Sequence, residues 1–112
     1  MVVKITATLY HADWCGHCKT FLPEWQQFTK NLQGGMIKHN NATFHSEQYE
    51  DKEITRKNIS ATINGQPIRG FPTIKISINE NGKIKEFDYQ GKRKATELAT
   101  FLKVVADRAL TN

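Results

Sequence analysis

Long apolar runs, a secretory leader and cysteines are scarce or missing in this sequence. Only two of the 112 residues are cysteines. No apolar run approaches the roughly 20 residues that span a bilayer, so we expect no association with membranes. The first ten residues include Lys4 and Thr6, where a secretory leader has an unbroken apolar stretch. The chain also ends without a retention signal, so the sequence as written predicts a cytoplasmic protein.

The length and charge of the chain predict one globular domain with a basic surface. A chain of 112 residues is long enough for one hydrophobic core, so we expect a single domain over 1–112 and a monomer. Sixteen Lys and Arg against eleven Asp and Glu give a net charge of +5, with a basic cluster at 92–94. Aromatic residues are not interleaved with the basic ones as a base-stacking surface requires. We therefore expect a solvated exterior and no nucleic-acid partner.

The first half of the chain predicts a strand, a long helix, a second strand and a second helix. β-branched residues indicate a strand over 3–10, and Gly34 and Gly35 end the helix that follows. The helix has apolar residues at helical spacing, namely Phe21, Trp25, Phe28 and Leu32. Pro23 lies inside it and removes a backbone hydrogen bond. A strand over about 42–47 and a helix over about 51–63 come next, and the inner positions of that helix are Ile54, Ile59 and Ile63.

The second half predicts a β-hairpin and a closing helix. The segment TIKISI alternates Ile74, Ile76 and Ile78 with polar residues, and Asn81-Gly82 is a strong hairpin signal before a partner strand over 84–89. A helix over about 94–109 has an apolar face formed by Leu98, Phe101, Leu102, Val105 and Ala109. Strands separated by helices imply a partly parallel sheet covered by helices, which is an α/β domain of two or three layers.

Cys15 and Cys18 lie two residues apart in HADWCGHCKTFLPEW, where the first strand gives way to the first helix. Cys15 is therefore expected beside unpaired backbone N–H groups and the positive end of the helix dipole, which favour a thiolate. His17, when protonated, would favour this anion further. Cys18 lies one turn deeper, close enough to bond to Cys15. We expect an accessible, readily ionised sulfur at Cys15 and a more buried one at Cys18.

Three uses of the two cysteines are open at this point: a disulfide staple, half of a zinc site and a redox pair. A staple would close a loop so small that it removes little entropy from the unfolded chain. A zinc site could add His39 and His45, but 20 residues separate Cys18 from His39, whereas a zinc finger has roughly 12 to 15 there. The residue pattern therefore favours the redox pair and predicts no metal site.

The segment Trp14-Cys15-Gly16-His17-Cys18-Lys19 resembles the active-site motif of the catalytic domains of protein disulfide isomerases, in the thioredoxin superfamily. Pro23-Glu24-Trp25 is similar to the family's helix proline, IRGFPTIKI to its cis-proline segment and DYQGKR to the loop before its last helix. The resemblance implies a cis bond between Phe71 and Pro72. It also implies a thioredoxin-like, four-stranded mixed sheet flanked by helices, which lacks the family's usual first strand and helix.

The activity that this resemblance implies is thiol–disulfide exchange on proteins, without a cofactor. Cys15, Cys18 and His17 would be the catalytic residues, and the substrate would lie in a groove lined by Trp14, Gly16, Phe71, Pro72 and Gly91. The partners would be protein thiols or disulfides and an unidentified electron donor or acceptor. If the chain is an excised domain, an oxidising compartment is possible. The alternative is a non-catalytic interaction module whose cysteines stay oxidised.

Two residues depart from the family pattern. Leu9 stands where the family buries an acidic residue beneath the second cysteine, and no lysine occurs over 39–51 to serve as its usual partner. Loss of both charges leaves no unpaired buried ion, so stability need not suffer, but proton transfer at Cys18 should. His11 stands where the family generally has tryptophan or tyrosine, and we hypothesise that its ring partly replaces the missing acid.

Overall fold

The computed structural model describes residues 3–56, 62–63, 66–67 and 70–111. The elements of these ranges, in chain order, are β1 (Val3–His11), α1 (Gly16–Gln33), β2 (Ala42–Glu50), α2 (Asp51–Arg56), β3 (Thr62–Ile63), β4 (Gln66–Pro67), β5 (Thr73–Glu80), β6 (Lys83–Asp88) and α3 (Ala95–Thr111). No helix among the described residues is both long enough and apolar enough to cross a membrane.

The main sheet has four strands in the order β2-β1-β5-β6. β1 pairs in parallel with β2 and antiparallel with β5, and β5 pairs antiparallel with β6. The parallel pair needs a long crossover, which α1 supplies. The predicted four-stranded mixed sheet is therefore confirmed, and the strand that leads into the cysteines lies at its centre.

The hairpin between β5 and β6 follows directly from its two turn residues. Asn81 and Gly82 have φ angles of 55° and 84°. Two successive residues with positive φ are what a tight hairpin turn requires, and Asn-Gly is the dipeptide that adopts them most readily. The predicted antiparallel hairpin is confirmed.

The core lies between β1 and the two long helices. Alternate β1 residues are fully buried there, because successive side chains of a strand point to opposite faces. The large side chains in this cluster with exposures of 0% are Val3, Ile5, Leu9, Trp25, Phe28, Ile76, Leu98 and Leu102. The apolar faces predicted for α1 and α3 are thus the faces that meet the sheet, and α1 packs with its first turn beyond the end of β1.

The prediction of a second helix over about 51–63 is wrong at its carboxyl end, over Thr62–Ile63. α2 is described over Asp51–Arg56, but Thr62–Ile63 is a strand that pairs antiparallel with Gln66–Pro67. Ile63 therefore lies on a strand, Ile54 is half-buried on α2, and Ile59 lies outside the described residues. A spacing of apolar residues over a short segment does not separate a helix from a helix followed by a hairpin.

The loop between β6 and α3 is fixed by the packing of Tyr89 against Gly91. Tyr89 donates a hydrogen bond through its hydroxyl to the carbonyl oxygen of Lys92 and stacks edge-on against Phe101 with ring centroids 5.0 Å apart. A Cβ atom at Gly91 would lie 2.6 Å from the Tyr89 hydroxyl oxygen. Only glycine leaves room for the tyrosine ring here.

We expect Gly91→Ala to lower the free energy of unfolding by about 1–3 kcal/mol, because Tyr89 must leave its place against Phe101. Urea denaturation followed by circular dichroism measures this loss. Gly70→Ala is the matched control, since a Cβ there has nothing within 4 Å, and it should change the stability by less than about 1 kcal/mol. Equal losses in the two variants would contradict this account of the loop.

Candidate active site

Cys15 is the residue that caps the amino end of α1. β1 ends at His11, a turn follows in which the Cys15 N–H donates to the Ala12 carbonyl oxygen at 3.1 Å, and the helix begins at Gly16. The backbone N–H of Cys18 donates to the Cys15 sulfur at 3.2 Å. A thiolate at this position would receive that hydrogen bond and the favourable field of the helix dipole. The predicted location of Cys15 at the helix terminus is confirmed.

Cys15 is less accessible than the sequence predicts. Its exposure is 6% and that of Cys18 is 1%, and both are free thiols. Phe71 packs over the cluster formed by Ala12 and the two cysteines, and its carbonyl oxygen accepts a hydrogen bond from the Cys15 thiol at 3.4 Å. The expectation of an open sulfur is therefore wrong for this structure, because an aromatic side chain from the segment before β5 covers it.

Burial governs the ionisation of Cys18. The pKa of this thiol is raised to about 11, chiefly by removal from water and also by its hydrogen bond with Cys15. The backbone N–H of Ala12 acts in the opposite direction, as does the positive charge of Arg93. Near pH 7 Cys18 is therefore a thiol, and it must lose its proton before it can attack another sulfur.

Arg93 is a site residue that the sequence analysis missed. It was assigned there to a solvated basic cluster at 92–94, yet it is the charged group that lowers the pKa of Cys18 against burial. Arg93 also lines a cleft of about 240 Å³ together with Pro72, Thr73 and Gly91. No sequence pattern within the cluster distinguishes Arg93 from its two lysine neighbours.

The remaining predicted site residues surround the cysteines at different depths. Trp14 is 72% exposed, donates to an Asp51 carboxylate oxygen at 3.3 Å and meets Phe71 edge-on with ring centroids 5.8 Å apart. Gly16 and His17 are exposed on the first turn of α1.

The peptide bond between Phe71 and Pro72 is cis, in agreement with the expectation. The structure thus places Phe71 against the cysteines, Trp14 at the edge of the Phe71 ring, and Pro72 and Gly91 along a neighbouring cleft.

The two residues that depart from the family pattern both lie beneath the site. Leu9 is fully buried and is paired in register with Gln48, whose side-chain oxygen accepts the Trp25 indole N–H at 3.0 Å. Among the described residues, no carboxylate acts on the pKa of Cys18. His11 is 9% exposed, and its buried Nδ1 has no hydrogen-bond partner within the described part of the chain.

The two histidines considered as zinc ligands make other contacts. The His39 Nε2 atom lies 2.7 Å from an Asp107 oxygen, and the His45 Nε2 atom lies 3.3 Å from the Thr43 hydroxyl. Within the described ranges, no group of three or more histidine, cysteine or acidic side chains is placed to hold a metal ion.

The four-stranded mixed sheet, with a pair of cysteines two residues apart at the amino end of a helix and a cis proline on the next segment, defines the class of thioredoxin-fold proteins. The family model for thioredoxin matches residues 3–104. The chain therefore belongs to the thioredoxin family.

The curated relatives of the chain include protein disulfide-isomerases. It is 34% identical over 96 residues to that of Arthroderma benhamiae, an alignment that covers 84% of this chain and 16% of that protein. It is 33% identical over 94 residues to that of Ricinus communis, covering 84% of this chain and 17% of that protein. The chain thus spans about a sixth of the length of these relatives and is related to their thioredoxin domains.

Solved structures show the same fold. The first thioredoxin domain of mouse protein disulfide-isomerase A4 matches with a TM-score of 0.54 and 23% identity, over 91% of this chain and 63% of that one. A fragment of ERdj5 called J-Trx1 matches with a TM-score of 0.59 and 16% identity, over 92% of this chain and 43% of that one.

Proposed function

We propose that this protein is a thiol–disulfide oxidoreductase that acts on protein disulfides through Cys15 and Cys18. In the reducing direction the Cys15 thiolate attacks one sulfur of a substrate disulfide, that bond breaks, and a mixed disulfide forms. Cys18 then attacks the Cys15 sulfur, loses its proton, and releases the substrate as a thiol. The oxidising direction is the reverse of these steps, and the redox potential of the compartment decides which direction prevails.

The observation that supports this proposal most strongly is the asymmetry of the two sulfurs. Cys15 caps α1 and receives a backbone hydrogen bond at 3.2 Å, while Cys18 lies one turn deeper at 1% exposure with a pKa raised to about 11. A nucleophile at the helix terminus and a protonated resolving thiol behind it are what the two steps require. A structural disulfide would need no such difference between its halves.

The substrate would bind along the segment at Pro72. Cys15 already donates to the carbonyl oxygen of Phe71, so backbone groups of this segment lie at the reacting sulfur. An extended substrate strand can pair with such groups. Phe71 has to move from its position over Cys15 to admit the substrate sulfur, and the exposed Trp14 and the cleft at Gly91 supply contact surfaces on either side.

Trapping of the mixed disulfide tests the proposal. The reduced Cys18→Ser variant, mixed with insulin, is expected to accumulate a covalent complex, because serine cannot attack the Cys15 sulfur and release the product. Non-reducing electrophoresis and mass spectrometry identify the complex and its linkage. The matched variant Cys15→Ser, which retains only the buried thiol, is expected to form none.

Absence of a complex with Cys18→Ser, or equal trapping by both variants, would overturn the proposal. The first result would favour the alternative function, a non-catalytic interaction module. The observation that favours this alternative is the burial of Cys15, which is only 6% exposed beneath Phe71. In that case the two cysteines should resist reduction by dithiothreitol in the folded protein, which thiol titration measures directly.

A further inference from the structure

His11 has no place in the steps described so far, yet it lies buried at the carboxyl end of β1. It is the last residue of that strand, only 9% of it is exposed, and none of the described residues forms a hydrogen bond with its Nδ1 atom. A buried polar atom without a partner has lost its hydrogen bonds to water and gained none in exchange, which is unfavourable for folding.

The strand register places the His11 ring on the face of the sheet that α1 covers. Paired residues of neighbouring strands have their side chains on the same face. Leu9 is paired with Gln48, and Gln48 binds Trp25 of α1, so this pair faces α1. His11 is two residues beyond Leu9 and therefore lies on that same face, one step closer to the amino end of α1.

Cys18 is the α1 side chain that meets this end of β1. Ala12, the residue that follows His11, forms one buried cluster with both cysteines. His11 is therefore joined covalently to a residue that packs against the thiol whose proton must leave before it can attack.

The charged and titratable groups around this position come from four elements. Glu50 of β2 is paired in register with His11, but its carboxylate accepts the backbone N–H of Lys52 at 2.9 and 3.1 Å. Asp51 of α2 accepts the indole N–H of Trp14. Cys15 caps α1 and Cys18 lies in its first turn, while Arg93, before α3, has no lone pair with which to accept a proton. Leu9 adds no titratable group, so among the described residues the His11 Nδ1 is the buried basic atom on this face that no hydrogen bond occupies.

We propose that His11 accepts the proton of Cys18 when Cys18 attacks the mixed disulfide, and returns it in the reverse direction. This role rests on the function proposed above. In the resolving step the Cys18 S–H bond breaks and its proton moves to Nδ1 of His11, directly or through one water molecule. The Cys18 sulfur forms a bond to the Cys15 sulfur, the bond from Cys15 to the substrate breaks, and the substrate departs as a thiolate.

Reaction of the reduced protein with dithiobis(nitrobenzoate) in a stopped-flow instrument separates the two steps. Cys15 attacks the reagent and releases a first coloured thionitrobenzoate ion; Cys18 then attacks the mixed disulfide and releases a second. Histidine side chains change charge between about pH 5 and 8. Across that range we expect the second phase of the wild-type protein to accelerate as pH rises and then to level off.

His11→Gln, which keeps a polar side chain but takes up no proton, is expected to slow the second phase about 100-fold near pH 7 and to remove its levelling profile. The first phase should be unchanged. His45→Gln is the matched control, since this histidine is exposed on β2, and both phases should match the wild type. His11→Phe, which retains an aromatic ring, should behave as His11→Gln does, and circular dichroism checks that each variant is folded.

Four results would overturn the role of His11. The first is a second phase in the wild-type protein that does not depend on pH in this range, which needs no variant to observe. The second is a second phase of His11→Gln that is slower than that of the wild type by the same factor at every pH, as a purely structural defect would give. The third is a normal first phase and an unaffected second phase in His11→Gln, which overturns only the role. The fourth is a wild-type protein with no first phase, which would overturn the proposed function and this role with it.

Discussion

Replacing Cys15 by serine is expected to lower the protein-dependent rate of insulin reduction by dithiothreitol at least about 1,000-fold. The hydroxyl of serine occupies the space of the thiol at the cap of α1, so the fold should be retained. It cannot form the mixed disulfide, and Cys18 cannot replace it, because burial raises the pKa of Cys18 to about 11. The rate is measured from the turbidity of the precipitating insulin chains.

The control for this variant is its stability. Cys15→Ser should unfold within about 1 kcal/mol of the reduced wild-type protein in urea, since the Cys18 N–H can donate to the serine oxygen as it does to sulfur. A variant that keeps its fold and a substantial part of its activity would show that Cys15 is not the nucleophile. Loss of activity together with loss of the fold would leave Cys18→Ser trapping as the deciding test of the same nucleophile.

Trp25→Ala should produce the largest loss of stability, about 3–5 kcal/mol in the free energy of unfolding. The side chain is fully buried, lies with its ring centroid 6.2 Å from that of Phe21 and 5.2 Å from that of Phe28, and donates to Gln48. Truncation opens a cavity between α1 and the sheet and leaves the Gln48 oxygen without this donor. Urea denaturation followed by circular dichroism measures the loss.

Trp14→Ala is the matched control, because the chain has only two tryptophans and this one is 72% exposed. We expect it to cost about 1 kcal/mol or less, from the lost edge contact with Phe71 and the hydrogen bond to Asp51. A loss for Trp14→Ala that equals that of Trp25→Ala would contradict the assignment of the core to the α1 face of the sheet.

The parts of the fold that the sequence predicted are those set by local chemistry. Asn81-Gly82 specifies its own turn, and the apolar spacing in α1 and α3 specifies which face meets the sheet. The position of Cys15 follows from the change from strand to helix within four residues. The position of Pro72 beside the cysteines came from the resemblance, since nothing local brings residues this far apart together.

The features that the sequence did not predict depend on contacts between distant segments. Phe71 covers Cys15 across 56 residues of chain, and Arg93 acts on Cys18 from the loop before α3. The strand at Thr62–Ile63 exists through its pairing with Gln66–Pro67, which an apolar spacing does not reveal. Lys75 occurs in a strand that alternates polar and apolar residues, yet it is 6% exposed, with its ammonium 5.9 Å from the centre of the Tyr10 ring.

Alkylation of the reduced protein by a limiting amount of iodoacetamide near neutral pH tests the central claim most directly. With a pKa of about 11, Cys18 is a thiolate in about one molecule in 10,000 at pH 7. Peptide mass spectrometry should therefore find Cys15 modified at least about 100 times faster than Cys18. Equal rates at the two sulfurs, faster modification of Cys18, or a Cys15 that reacts only after the protein unfolds would contradict the assignment of Cys15 as the attacking group.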